Sequence, residues 1–168
     1  MKISDVEWRG MTWFDLKDVA AIAGQVHPGF FEADEVLAEK LALYSHGAYL
    51  LELSGRPVGY VLSHPWRKGD IPPLNMLLGA LPPDADTYYL HDLALLPAVR
   101  RIGAAGYIIE ALAKHARARG FADMSLAAVN SSAPFWARHG FLEAEVPHLR
   151  ETLRGYEETA RYMVRPLA

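Results

Sequence analysis

The run from Thr87 to Gly106 constrains this chain more than any other. Thr87 to Leu96 is nearly continuous in apolar and aromatic residues, the pattern of a central strand covered on both faces. Pro97 ends it. After a short connection, Gly103-Ala104-Ala105-Gly106 opens a long amphipathic segment, with Ile108, Ile109, Leu112, Ala113 and Ala116 on one stripe. A helix is expected from about Gly103 to Arg119. Lys114, His115, Arg117 and Arg119 suit the negative end of its dipole, and Gly120 closes it. A strand that needs cover on both faces and runs directly into a helix calls for a layered α/β architecture.

The rest of the chain fits such a sheet. Lys2 to Trp8 reads as a first strand, followed by Thr12 as a helix cap. Phe14, Leu16, Val19, Ala20, Ile22, Ala23 and Val26 then form a broad helical face that His27-Pro28-Gly29 stops. A second helix starts near Asp34, stacks Leu37, Leu41 and Tyr44, and ends at Gly47. Ala48 to Leu53 and Pro57 to His64 form a hairpin around Ser54-Gly55-Arg56. Pro65 to Asp86 is a proline-rich excursion with one helical turn expected at its centre, either a lid or a plain insertion. Beyond the long helix, Ala122 to Val129 is a strand. Ser131 or Ser132 caps a short helix with Pro134 in its first turn, ending at Gly140. Leu142 to Val146 and Thr159 to Pro166 are the last strands. The fold class is therefore mixed α/β (an α+β mixed sheet flanked by helices), in one domain over residues 1–168.

Composition narrows the function classes. A chain of 168 residues without cysteine has no disulfides, thiolate metal sites or thiol nucleophiles. At this size, burial of roughly 70% of the unfolded surface sustains a core without them. The seven histidines show no H-x-x-x-H spacing, and no metal is expected. The net charge of −3 argues against a nucleic-acid partner. No signal peptide or spanning apolar run is apparent, so no membrane partner is expected and the cytoplasm is the expected compartment. Charge is nevertheless unevenly placed. Arg100, Arg101, Lys114, Arg117 and Arg119 face only Glu110, whereas Glu32, Asp34, Glu35 and Glu39 make an acidic stretch. A local basic segment fits an anionic ligand or a solvated helix face.

The junction from Leu93 to Gly106 carries the chemistry. The first turn of a helix has backbone N–H groups with no internal partner, at the positive end of the dipole. Small residues let a ligand's oxygens approach that backbone, and Arg100 and Arg101 add charge, which suits a pyrophosphate. There is no Gly-Lys-Ser/Thr of a Walker loop and no G-x-G-x-x-G spacing. Small residues also let a helix pack tightly on a sheet, and spacing alone leaves both readings open.

Arg100-Arg101-Ile102-Gly103-Ala104-Ala105 resembles the R/Q-x-x-G-x-G/A signature of the general N-acetyltransferase (GNAT) superfamily. Leu93-Ala94-Leu95-Leu96-Pro97 looks like that family's fourth strand. Asn130 ends the following strand, and Phe135-Trp136-Ala137-Arg138-His139-Gly140-Phe141 is similar to its FY-x-x-x-GF segment. The resemblance is strongest from Thr87 to Phe141. It implies a GNAT-like fold with a mostly antiparallel sheet and splayed fourth and fifth strands. It also implies acetyl-CoA as acyl donor and direct transfer to an amine.

By the resemblance, backbone N–H groups from Ile102 through Gly103, Ala104 and Ala105 to Gly106 hold the pyrophosphate beside Arg100 and Arg101. The main chain of Leu93, Ala94 and Leu95 pairs with the pantetheine arm. Asn130 reaches the arm's amides, while Phe135 and Trp136 line the channel near the sulfur. The Leu95 N–H is placed to polarise the thioester oxygen.

Tyr89, His91 and Asp92 are the candidate bases, with His91 preferred for its near-neutral titration. Strand alternation puts residues 89, 91, 93 and 95 on one side, an arrangement that a bulge would reverse. Many family members carry a tyrosine acid where this chain has Trp136, whose indole cannot serve. Tyr107, Tyr88, Ser131 or water are the substitutes. Trp136 also favours an alternative, a non-catalytic acyl-CoA-binding or sensing module. A longer acyl donor, an alcohol acceptor, or a structural domain without a ligand are further alternatives. Glu32, Asp34 and Glu35 border the acceptor side in such folds and would suit a cationic amine. The resemblance leaves a homodimer open.

Overall fold

The computed structural model describes residues 3–168. One seven-stranded sheet carries the fold, in the order β1-β2-β3-β4-β5-β7-β6. Its strands are β1 (Val6–Gly10), β2 (Ala48–Leu53), β3 (Arg56–Trp66), β4 (Thr87–Leu95), β5 (Asp123–Ala128), β6 (Leu142–Glu143) and β7 (Arg161–Pro166). Every pairing is antiparallel except β4 with β5. The helices are α1 (Leu16–Val26), α2 (Asp34–Leu43), α3 (Ala104–Ala118), α4 (Ala133–Ala137) and α5 (Arg150–Tyr156).

The stripe expected on the long helix is the one it buries. Ile108, Ile109, Leu112, Ala113 and Ala116 of α3 pack on Tyr88, Leu90, Met124 and Leu126 of β4 and β5. Each fully buried Ile or Leu there contributes about 2 kcal/mol. On the opposite face, Val19 and Ile22 of α1 and Leu37 and Leu41 of α2 cover Leu50, Tyr60, Leu62 and Ala94. A third cluster, of Trp66, Ile71, Tyr89, Leu149 and Tyr162, lies beneath the 67–86 excursion and α5. β4 is thus covered on both faces, as its composition requires.

Several local expectations need correction. The first strand begins at Val6, because Ile3–Asp5 form a 3-10 turn; Lys2 lies outside the described residues. Thr12 precedes a 3-10 turn, Trp13–Asp15, rather than α1 itself. Phe14 therefore sits ahead of the helix and is 94% exposed instead of joining its apolar face. The carboxylate of Asp15 accepts the Thr12 N–H (2.7 Å) and the Arg9 guanidinium (2.8 Å), fixing the entry to α1. Residues 67–86 contain no helical turn. β6 stops at Glu143, and the backbone beyond it forms a 3-10 turn at Pro147–Leu149 and then α5, which periodicity did not reveal. That helix buries no residue fully and contains Gly155, so it carries no apolar stripe to read.

Candidate active site

β4 and β5 pair only at Tyr88↔Met124 and Tyr89↔Ser125, then separate. The separation coincides with an irregularity within β4. Leu62 of β3 faces Asp92, and the next residue, Ser63, faces Leu90, so His91 is the extra residue of a bulge. The bulge resets the alternation. Tyr89 packs in the cluster under the excursion, and Ala94 joins the α1–α2 face. His91 lies tilted beside the Tyr89 ring and Asp92 bonds Tyr60, so both side chains belong to that face as well. Leu93 and Leu95 join the clusters on the α3 side. The expected sharing of one side by residues 89, 91, 93 and 95 ends at this bulge.

Beyond the bulge, Leu96 N–H donates to Val58 O, so by antiparallel alternation Ala94 also spends its backbone on β3. The backbone groups of Leu93 and Leu95 face the gap left by β5. Arg100 folds back so that its Nε donates to Leu95 O at 3.0 Å. Arg101 takes φ 64 and Gly103 φ 87, the latter as the N-cap of α3. Left-handed backbone of this kind favours glycine and, at Arg101, concentrates strain where ligands are held. The first bond that closes onto Gly103 O comes from Tyr107 N, so the N–H groups of Ala104, Ala105 and Gly106 have no intrahelical acceptor. Trp8 Nε1 donates to Ala104 O (2.9 Å) and tethers this helix start to β1.

A cavity of about 720 Å³ connects the turn to the bulge. Arg101, Gly103 and Gly106 stand at one end, Phe135 and Trp136 along its wall, and His27, His91 and Asp92 at the other. Arg100, Ala105, Asn130, Leu93 and Leu95 also line it, whereas Ala94, Ile102 and Ala104 do not. Trp136 is buried edge-to-face against Phe141 and Phe135. Asn130 and Ser131 both take positive φ, 55 and 56, where the chain leaves β5.

Two histidine–carboxylate pairs close the inner end. His91 Nε2 meets Glu32 Oε1 at 2.7 Å, with both side chains under a tenth exposed. The other ring nitrogen, Nδ1, has no hydrogen-bond partner among the described residues. His27, which caps the C-terminus of α1, brings Nε2 to 2.8 Å from Asp92 Oδ1, an ion-pair contact. Its Nδ1 is 3.3 Å from the amide nitrogen of Asn130, across the gap. Asp92 also accepts the hydroxyl of buried Tyr60.

Burial would raise the Glu32 carboxyl, but the charges of His91 and Lys40 overcome it and hold the pKa down to about 2. Burial likewise opposes protonation of His27, yet the carboxylates of Asp92 and Glu32 raise its pKa above the ordinary histidine value. Lys40 of α2 is buried beside these acids, and desolvation lowers its pKa. His64 is buried against the same cluster, and desolvation pushes it down to about 3, a neutral ring at physiological pH.

Tyr89 does not reach the cavity: it is buried among Trp66 and Tyr162, and burial pushes its phenol well up. Tyr107 points outward and is 67% exposed. Tyr88 is locked into a hydrogen bond with Ser63 Oγ (2.7 Å) on the α3 face. Of the acidic stretch, Asp34 and Glu35 are exposed while Glu32 turns inward to His91. The sequence reading missed His27, Tyr60 and Lys40. His27 showed only as the stop of a helix, and nothing local signals that it meets Asp92.

The 67–86 excursion covers the outer side of this cluster. Asn75 Oδ1 accepts the Ala33 N–H (2.7 Å) and Asn75 N–H donates to Glu32 Oε2 (3.3 Å). Glu39 accepts the N–H groups of Leu78 (2.6 Å) and Gly79 (2.9 Å). Tyr156 of α5 donates to Pro72 O (2.6 Å).

A parted pair of strands with backbone groups facing the gap, leading to unpaired helix-start amides and two arginines, fits a CoA thioester with its extended arm and pyrophosphate. Residues 13–141 match the Acetyltransferase (GNAT) family, and the chain belongs to that family. It is an N-acetyltransferase with acetyl-CoA as donor. No curated protein sequence matches it.

Solved structures agree on the fold. The loading GNATL domain of CurA from Lyngbya majuscula superposes with TM-score 0.79 at 14% identity, over 96% of this chain and 98% of that one. Ard1 from Thermoplasma volcanium gives 0.74 at 14%, over 98% and 99%. GphF, a GNAT-like decarboxylase in complex with isobutyryl-CoA, gives 0.78 at 15%, over 96% and 100%. At these identities the likeness establishes the fold alone.

Proposed function

We propose that this enzyme transfers acetyl directly from acetyl-CoA to a primary amine, with His91 as general base. The observation that carries the proposal is the bulge in β4. It lies where the strand parts from β5 and sets His91 at the inner end of the resulting cavity. Bound acetyl-CoA supplies an activated acyl group with a thiolate leaving group.

The chain's own residues orient and exclude. The N–H groups of Ala104 to Gly106, with Arg101, take the pyrophosphate charge. The Leu93 and Leu95 backbone lines the arm, and the Leu95 N–H is directed to the side where a carbonyl oxygen gathers charge. Glu32 accepts the Nε2–H of His91, which leaves the lone pair on Nδ1 to take the amine's proton. Holding both reactants in register lowers the barrier by several kcal/mol.

The strapped 67–86 segment supports an acceptor entering from the side of α2, beneath a lid. The exposed carboxylates of Asp34 and Glu35 support a cationic acceptor on that side. Free CoA release over a panel of small polyamines, lysine peptides and peptides with free N-termini tests the reading. Turnover with at least one amine, slowed by about 10²- to 10³-fold in His91→Gln, is expected. Tight acetyl-CoA binding without turnover on any amine would contradict it in favour of a sensing module.

A further inference from the structure

The family's reaction leaves a thiolate, and the tyrosine hydroxyl that could protonate it is replaced here by an indole at Trp136. The three side chains named from sequence as substitutes do not line the cavity. Tyr107 is exposed and Tyr88 is buried on the α3 side. Ser131 is exposed outside the lining. We propose that His27, held by Asp92, is the proton donor to the departing CoA thiolate. This inference rests on the acetyl-transfer reading above and adds a second, separate proton-handling pair to it.

The two pairs divide by position. The partner of His91, Glu32, is itself bonded to Asn75 of the excursion, so that pair belongs to the acceptor side. His27 lines the same inner end as His91, but its Nδ1 faces Asn130 across the gap between β4 and β5, the gap that the donor's arm enters in the acetyl-transfer reading. Its side chain is 16% exposed, against 3% for His91, so a proton lost there can be replaced from solvent.

Three features favour the charged ring. Asp92 stands 2.8 Å from Nε2. The Tyr60 hydroxyl fixes Asp92 from behind. His27 is the C-cap residue of α1 through its backbone N–H, so its ring is carried at the negative end of the helix dipole, which favours a cation. The groups facing it are Asp92 from β4, Glu32 from the α1–α2 connection, Arg100 beyond β4 and Asn130 beyond β5. The edge of Phe30 lies against the same ring at 6.4 Å. Nε2 stays in ion-pair contact with Asp92 without a hydrogen bond of good geometry, and the proton delivered is the one on Nδ1, toward which the Asn130 amide turns its oxygen when the ring is charged.

Atoms and charge balance. The amine nitrogen forms its bond to the carbonyl carbon as the C–S bond breaks and its electron pair leaves on sulfur. His91 takes one proton from nitrogen, and His27 gives one to sulfur. The cycle closes when His91 returns its proton to solvent and His27 regains one. Asp92 and Tyr60 act as positioning residues.

The test combines a readout on the unliganded protein with a kinetic one. Histidine-labelled protein is titrated by NMR, and kcat is followed with pH for wild type, His27→Gln and Asp92→Asn. His27 is expected to titrate above ordinary histidine with its neutral form protonated on Nε2, and Asp92→Asn should lower its pKa by about one unit or more. In wild type kcat should fall at alkaline pH. His27→Gln should lose that limb and about 10²-fold in kcat, with acetyl-CoA affinity unchanged. Asp92→Asn should shift the limb to lower pH, which separates proton donation from a purely structural role even where His27→Gln folds poorly. An alkaline limb that persists in His27→Gln, or a His27 pKa unmoved in Asp92→Asn, would overturn the inference alone. An inactive wild type would overturn it together with the acetyl-transfer reading.

Discussion

The donor and acceptor sides of the cavity are built by different means. On the donor side one stretch, Leu93 to Gly106, supplies strand backbone, turn and helix start, with only the side chains of His27, Asn130, Phe135 and Trp136 added from elsewhere. On the acceptor side the groups come from distant segments. Glu32 follows α1, Lys40 lies on α2, Asn75 is in the excursion and His91 is on β4. One side is therefore a motif and the other an assembly. Backbone N–H groups and glycines can be recognised from local order, whereas ion pairs between elements need the fold before they exist.

Changes to the two sides should separate cleanly. His91→Gln is expected to lower kcat by about 10²- to 10³-fold while leaving calorimetric acetyl-CoA affinity intact. A parallel loss of affinity would break the division. Gly103→Val forces a β-branched residue to φ 87 at the helix start and should weaken acetyl-CoA binding by about 10- to 100-fold. Its effect on the affinity for an amine acceptor should be much smaller.

Glu39→Ala removes the carboxylate that gathers the N–H groups of Leu78 and Gly79. It should raise the acceptor KM by roughly 3- to 10-fold, with donor affinity unchanged. An equal effect on donor affinity would mean that the excursion covers both sides.

Acid sensitivity offers a smaller, graded contrast. The Arg9 guanidinium holds Asp15 down to about 2 from an ordinary 3.8. Glu32 sits at about 2 instead of 4.5, because His91 and Lys40 outweigh its burial. Both pKa values are depressed on folding, so the stability these groups contribute is complete above about pH 4.5 and is lost as pH falls toward 2. Glu32→Gln should flatten part of that loss in thermal melts taken between those limits. Identical acid profiles for wild type and the variant would remove Glu32 from the account.

Legibility follows the same line. The α3 stripe and the helix start at Gly103 were readable because each follows from periodicity or glycine placement, whereas the insertion of β7 between β5 and β6 was not. Nor was the bulge at His91, because no residue type demands it. It alone decides that His91 and Asp92 share a face while Leu93 crosses to the other. Glu32 was readable as part of an acidic rim and is instead an interior partner, since charge runs do not say which member turns inward. His27 carried a helix-stop signal strong enough to hide its second role. Helix α5 lacked an apolar stripe, and so had nothing for periodicity to find.

The most direct measurement of the central claim is calorimetric titration of acetyl-CoA into wild type and Gly103→Val. The account predicts micromolar binding by wild type, sharply weakened when the left-handed helix start is lost, with both proteins folded by circular dichroism. Wild-type protein that is folded and does not bind, or a Gly103→Val variant that binds equally well, would contradict the assignment of this gap and helix start to the CoA donor.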